Sequence, residues 1–267
     1  MTPDFRHRIN AGIAAVKEQC AFFREQFSNV PSEWKADDTR VTFADFAISE
    51  RIFAELRRFF PEDDYCSEES NAMDDVLTLT GRYAWVLDPI DGTNNYALGV
   101  PICAISLALL KDGVPIYGYV YDYSRDQLVH GGPGQGLYDG KRKVRIEDKS
   151  LDARGVIGCS FPMPPNLLEP LLPLLSEYRI RSLGSAAMNM VYTAIGLLEG
   201  CIDYRVKVWD VAGGNALIIG AGGEYHSLSD TPTFPLEVFH VDMGHTPFYA
   251  GKPAFCRMME TLELARP

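Results

Sequence analysis

The chain has 267 residues, 46% of them hydrophobic, and a formal net charge of -11 at pH 7 from 25 basic and 36 acidic side chains. That is globular composition with ample material for a core, and so acidic a surface repels nucleic acid and anionic lipid, which removes both as expected partners. The longest apolar run, Ile102 to Leu110, stops at Lys111, too short to span a bilayer, and the N-terminal stretch is amphipathic and unlike a signal peptide, so a soluble cytoplasmic protein is expected.

In chain order, residues 4–28 carry Ile9, Ile13, Val16, Phe23 and Phe27 near helical spacing. A loop with Pro31, Trp34 and Lys35 follows. Thr42-Phe43-Ala44-Asp45 opens a second helix with Ile48, Ile52, Leu56 and Phe59 on its apolar face, ended by Pro61. Short strands are predicted around 64–67, 83–88, 102–110 and 114–121, the last two joined by the hairpin signal Asp112-Gly113. Asp139-Gly140 predicts another hairpin after 135–138. Gly132-Pro133-Gly134-Gln135-Gly136-Leu137 resembles a dinucleotide loop only superficially, because Leu137 stands where the third glycine is needed; hairpin glycines are the better reading. Further on, 155–159 reads as a strand and 167–178 as a helix. Ser185 starts a helix closed by Gly200, 201–208 reads as a strand, and Asp210 starts a helix ending at Gly222-Gly223. Helices interleaved with hairpins make a mixed α/β sandwich rather than a purely parallel doubly wound sheet. No linker or repeat divides the chain, which favours one cooperative domain over 1–267, its halves at about 1–146 and 147–267.

The six cysteines are scattered with no C-x-x-C pair, so reduced thiols are expected, and the five histidines lack the spacing of a zinc hydrolase. A D-x-D-x-D-G calcium loop is also missing. The chemistry is carried by acids. In Trp85-Val86-Leu87-Asp88-Pro89-Ile90-Asp91-Gly92-Thr93-Asn94-Asn95-Tyr96, an apolar strand ends in two carboxylates three residues apart, followed by Gly-Thr. Two acids at a strand end can share a hard cation, and the Gly-Thr step can aim backbone N–H groups at an anion. Three more acidic segments accompany it: Lys35 to Asp45, Ser67-Glu68-Glu69-Ser70, and Trp209-Asp210-Val211-Ala212-Gly213-Gly214. Each has a structural alternative. Thr42 and Asp45 have capping-box spacing, Glu68-Glu69 reads as a solvated loop, and Asp210 as a helix cap.

Taken together, in this order, these segments resemble the inositol monophosphatase family of magnesium-dependent, lithium-sensitive phosphomonoesterases. The resemblance is carried by Glu68-Glu69, Asp88-Pro89-Ile90-Asp91-Gly92-Thr93 and Trp209-Asp210-Val211-Ala212-Gly213, with support from Val41-Thr42-x-Ala44-Asp45 and Arg181-Ser182-Leu183-Gly184-Ser185-Ala186-Ala187. It runs from about residue 35 to 223. It implies an α+β fold, a layered αβαβα sandwich whose two halves share one active site, commonly as a homodimer. It further implies two or three Mg²⁺ ions. Glu68, Asp88 and the Ile90 carbonyl would hold the first, and Asp88, Asp91 and Asp210 the second. Glu68 would help with a weaker third. Asp45 and Thr93 would orient the attacking water, and the amides of Gly92 and Thr93 would receive the phosphate. Gly184, Ser185, Ala186 and Asp203 would lie near the alcohol part of the substrate.

The implied substrate is a small phosphorylated polyol or amino alcohol, with inositol monophosphate first. Asp203 stands where inositol phosphatases usually have the longer Glu, Asn94 and Ser67 depart from common residues, and the Lys35-to-Asp45 segment equally resembles the histidinol-phosphate phosphatase branch. Fructose 1,6-bisphosphatase is the next alternative. A catalytically silent metal-binding regulatory subunit is the non-enzyme alternative, disfavoured because Asp45, Glu68 and Thr93 are all present.

Overall fold

The computed structural model describes residues 2–29, 31–34, 40–69, 76–262 and 264. The Lys35-to-Thr39 part of the first acidic segment and Ser70 lie outside them. The first helix, α1 (Pro3–Gln26), starts where Thr2 accepts the Phe5 N–H and Pro3 needs no partner; it buries Ile9, Val16 and Phe23. The short pair β1 (Ser32–Trp34) and β2 (Arg40–Thr42) leads into α2 (Phe43–Phe59), which buries Ile48, Ile52 and Leu56. Then come β3 (Asp64–Ser67), β4 (Leu77–Thr78), β5 (Tyr83–Asp91) and the one-turn helix α3 (Thr93–Leu98). A meander follows: β6 (Ala104–Lys111), β7 (Val114–Asp122), β8 (Gln127–Gly132), β9 (Gly136–Asp139) and β10 (Arg142–Val144). Asp112-Gly113 turns a hairpin as predicted; the second predicted hairpin also forms, turning at Gly140-Lys141 with Asp139 still paired to Arg142, and the Gly132-to-Gly136 segment joins β8 to β9.

The second half runs β11 (Val156–Cys159), α4 (Pro165–Leu168), α5 (Leu172–Glu177), β12 (Arg179–Arg181), α6 (Ala186–Ala194) and β13 (Gly200–Asp203). It ends with α7 (Val208–Ala221), β14 (Glu224–Ser227), β15 (Val238–Phe239), β16 (Phe248–Gly251) and α8 (Pro253–Glu260). Three expectations are corrected. The helix predicted over 167–178 is broken into α4, a 3-10 turn and α5, because Pro170 and Pro173 remove helical N–H donors. The Ser185 helix stops at Ala194, where left-handed Gly196 (φ 84°) rather than Gly200 closes it. The strand expected over 201–208 ends at Asp203.

Seven strands form the first sheet in the order β10-β9-β8-β7-β6-β5-β3, and five form the second, β12-β11-β13-β16-β14. Residues of α1 and α2 pack on one face of the first sheet, around Trp85, Leu107 and Tyr119. Residues of α6 and α7 fill the space between the sheets, with Val120 and Val129 from one and Cys201 and Phe248 from the other. Leu167, Leu174, Phe255 and Met259, from α4, α5 and α8, cover the outer face of the second sheet. The outcome is the expected αβαβα layering.

The central α7 approaches the first sheet backbone to backbone. A Cβ on Gly118 of β7 would sit 2.2 Å from the Gly213 carbonyl oxygen, so glycine at both positions lets the helix settle onto β6 and β7. That close approach brings the first turn of α7, with Asp210, down to the end of β5.

Candidate active site

All nine residues of β5 are buried, which an apolar strand covered on both faces requires. Asp88 and Asp91, three apart, would face opposite sides of a regular strand. The register against β6 shifts between them: Asp88 pairs with Ser106 but Asp91 with Ala104, so three steps on β5 meet two on β6. This bulge restores parity, and Pro89 is tolerated there because it has no N–H to lose. One carboxylate oxygen each from Asp88, Asp91 and Asp210 lies within 4.8 Å of the other two.

Asp88 accepts the Ile90 N–H (3.0 Å) within the bulge, and Asp210, Asp91 and Asp45 are each held in place by a helix start. Asp210 accepts the Lys207 N–H (2.7 Å) at the head of α7, while the Lys207 ammonium turns away to the Met243 carbonyl. Asp91 accepts the Ala187 N–H (3.0 Å) and the Ser185 hydroxyl at the head of α6. Asp45 closes a capping box at the head of α2, its Oδ2 accepting both the N–H (2.7 Å) and the hydroxyl (2.6 Å) of Thr42. Asp45 thus makes the expected capping box, whereas Asp210 is the third residue of α7, with Lys207 as the N-cap, so both acids make capping contacts. They do not displace the functional reading, because they fix the acids beside one another.

A cavity of about 310 Å³ opens over this cluster. Glu68, Asp88, Ile90, Asp91, Gly92 and Thr93 line it from the first half of the chain, and Gly184, Ser185, Ala186, Asp203 and Asp210 from the second. Every expected metal and substrate residue is thus gathered in one place. Asp45 is fully buried and does not line the cavity, yet it feels the charges of Glu68 and Glu69. Gly92 is left-handed (φ 85°) and packed against the Ile102 and Gly184 carbonyls, so a side chain there would be strained and crowded. The Thr93 hydroxyl donates to the Ile90 carbonyl (2.8 Å).

Burial, then neighbouring charge, sets the electrostatics. Burial pushes Asp88 and Asp210 well above the carboxylate range, with Glu68 and Asp91 adding repulsion to both. Asp91 is also raised by burial, opposed by its bonds from Ser185 and Ala187. Burial carries Asp45 up to about 8, with the Thr42 bond pulling the other way. Asp45 Oδ1 has no hydrogen-bond partner among the described residues. Carboxylates crowded in this way, with a buried oxygen left over, form a donor set made for a hard divalent cation.

Sequence reasoning missed several contributors. Asn95, inside the quoted motif, donates from Nδ2 to the Ile102 and Leu183 carbonyls (both 2.8 Å) and ties α3 to the Gly184 loop. Arg40, Ser160 and Arg205 also line the cavity. No local pattern marks them, since pairing across the cavity has no sequence period.

The Inositol monophosphatase family model matches residues 5–252. The chain is 31% identical over 218 residues to an inositol-1-monophosphatase of Mesorhizobium japonicum, covering 79% of this chain and 81% of that one. It is 30% identical over 214 residues to a fructose-1,6-bisphosphatase/inositol-1-monophosphatase of Aquifex aeolicus, covering 76% and 78%. Its fold matches the crystal structure of the extragenic suppressor protein suhB from Bartonella henselae, with a TM-score of 0.82 at 24% identity over 95% of this chain and 97% of that one. The fold is that of a layered α+β phosphatase, and its cavity is lined by acidic groups that could hold a metal ion. The chain belongs to the inositol monophosphatase family and is a phosphoric monoester hydrolase. Magnesium dependence and lithium sensitivity are general properties of that family. Among the described residues no helix is long and apolar enough to cross a membrane.

Proposed function

We propose that the protein is a Mg²⁺-dependent phosphomonoesterase of small polyol phosphates, with inositol monophosphate as its first substrate. The observation that carries this reading is the convergence of Asp88, Asp91 and Asp210 within 4.8 Å beneath a cavity that also presents Glu68, Gly92, Thr93 and Asp203. Glu68, Asp88, the Ile90 carbonyl, Asp91 and Asp210 would hold Mg²⁺. Bound there, the cation supplies acidification of water and neutralises charge on the phosphate and leaving oxygens.

The chain's own groups do the rest. Asp45 Oδ1 is the available acceptor for a proton of the attacking water, and the Thr93 hydroxyl, set by Ile90, orients that water. The Gly92 and Thr93 amides at the start of α3 receive phosphate oxygens. Asp203, one oxygen fixed by the Arg205 N–H (2.9 Å), accepts from substrate hydroxyls. A transition state of this type needs positioning and electrostatics rather than covalent chemistry, which rigid element ends supply.

A second reading, a sugar bisphosphate as substrate, is favoured by one observation: Arg40 and Arg205 both line the cavity and offer cations to a second phosphate. The two halves, 1–146 and 147–267, are proposed to form one domain meeting at the site, in a homodimer.

Phosphate release from inositol 1-phosphate, histidinol phosphate, fructose 1,6-bisphosphate and phosphoadenosine phosphate, with Mg²⁺ and with a chelator, tests the reading. Inositol 1-phosphate should be turned over fastest, and only with the metal. Preference for the bisphosphate would favour the second reading. Release from none of the four, or release that survives chelation, would sink both.

A further inference from the structure

The edge of the second sheet carries a cluster that phosphate hydrolysis does not use. Glu224 and His226, two apart on β14, share one face of that strand. Across from them α8 places Cys256, whose thiol reaches the Glu224 carbonyl oxygen at 3.8 Å. One ligand atom each from Glu224, His226 and Cys256 lies within 4.8 Å of the other two, and His226 Nε2 stands 3.3 Å from Glu224 Oε2. The imidazole is stacked on Tyr249 with ring centroids 4.9 Å apart, so packing fixes its plane. None of the three lines the catalytic cavity.

We propose that Glu224, His226 and Cys256 form a second metal site, taking Zn²⁺ or a similar borderline-soft cation, that staples α8 to the edge strand β14. The donor types decide the class of ion. Imidazole nitrogen, thiolate sulfur and carboxylate oxygen are the ligands of Zn²⁺, whereas Mg²⁺ takes oxygen and would ignore this cluster. Tetrahedral zinc ligands lie roughly 3.3–3.8 Å apart, given bonds of about 2.0–2.3 Å. The three atoms therefore need to close by at most about 1.5 Å, which rotation of the half-buried Glu224 and His226 side chains supplies. Glu260, one helical turn beyond Cys256, completes the acidic surroundings. The site was invisible to histidine spacing, because its ligands come from alternate strand positions and a helix thirty residues later.

The test is a Co²⁺ titration of the metal-free full chain in excess Mg²⁺, which occupies the all-oxygen site. One equivalent should give tetrahedral visible bands and a near-ultraviolet thiolate-to-cobalt charge-transfer band, and Zn²⁺ should abolish both by displacement. Cys256→Ser should lose the charge-transfer band, and His226→Gln should weaken binding by more than about tenfold, as loss of a donor does. Mg²⁺-dependent phosphate release should be unchanged in both variants. No charge-transfer band in the unmodified chain, or an undiminished band in Cys256→Ser, would overturn the proposal. If Cys256→Ser does not fold, unchanged Co²⁺ affinity in the half-exposed His226→Gln variant overturns it alone.

Discussion

Ser185 donates its hydroxyl to Asp91 across 94 residues of sequence, while the Ala187 N–H bonds the other oxygen of the same carboxylate at 3.0 Å. The last residue of β5 thus caps α6, and Ser185 Oγ itself accepts the Met188 N–H at 3.1 Å. One carboxylate joins the two halves of the chain and contributes to the acid cluster. Ser185, expected near the substrate alcohol, also acts here as the residue that positions Asp91.

Asp91→Asn should therefore show two separable losses. Turnover should fall by orders of magnitude, because the amide is a poor ligand for a hard cation. Stability should fall by about 1–3 kcal/mol, because the amide's NH₂ faces a donor at Ser185 or Ala187. Ser185→Ala should cost only about 1 kcal/mol, as loss of a capping hydroxyl does. Urea unfolding beside steady-state rates checks both. Near-normal turnover in Asp91→Asn would remove Asp91 from the catalytic cluster.

The pH dependence of stability should depend on metal. Two charges within 4.8 Å repel by about 3–4 kcal/mol at an effective dielectric near 20. Asp45, Asp88, Asp91 and Asp210 are all raised above their unfolded values, so the folded metal-free chain holds protons that the unfolded chain releases. Their contribution is fully present below about pH 4 and is lost as pH rises through the folded values, to about 8 for Asp45. His130, lowered to about 4 by burial, works in the opposite direction between that value and its usual one. It cancels when chelated and Mg²⁺-loaded samples are compared at the same pH. The Mg²⁺-induced rise in melting temperature should be larger at pH 8 than at pH 5. Equal rises would contradict a cluster that the cation neutralises.

Asp45 and Thr93 should affect rate more than metal affinity. In Asp45→Asn the amide oxygen can still accept from Thr42, so the α2 cap survives while the proton acceptor is gone. Thr93→Val removes the hydroxyl that donates to Ile90. Each should lower kcat by about 10²-fold or more, the usual worth of a positioned acid–base group, with Mg²⁺ dependence shifted little. A change confined to the Mg²⁺ dependence would assign both residues to metal binding instead.

Away from the site, Arg8 and Asp63 form a buried two-pronged pair, Nε to Oδ2 at 2.9 Å and Nη2 to Oδ1 at 2.8 Å. The Trp85 indole N–H also donates to Asp63 (2.9 Å), and the guanidinium lies between the rings of Phe60 and Tyr83. Removing one partner strands a buried charge. Arg8→Ala should cost about 3–5 kcal/mol in urea unfolding, with turnover of the folded protein intact. A loss below about 1 kcal/mol would mean that the pair is solvated.

Local patterns carried much of this fold. β3 lies where 64–67 was expected, both predicted hairpins formed, and the capping box at Thr42 was visible in four residues. The acids were legible because each stands at an element boundary with its own short motif. What escaped depends on distant pairing. The bulge that turns Asp88 and Asp91 to one side is set by register against β6, and the Arg8–Asp63 pair spans 55 residues. The strands β14 and β16, four residues each, carry too short a pattern to read, whereas α8 shows Phe255, Cys256 and Met259 at helical spacing behind Pro253 and was legible in principle. Pro170 and Pro173 stood in plain sight, but apolar spacing around them outweighed their missing N–H groups.

The most direct measurement is an anomalous difference map from crystals soaked in Mn²⁺, a heavier stand-in for Mg²⁺. Peaks should lie between the carboxylates of Asp88, Asp91 and Asp210, with one also touching Glu68, and they should vanish in Asp88→Asn. Manganese density absent from this cluster, in crystals of protein that still releases phosphate, would contradict a metal-assisted reaction here.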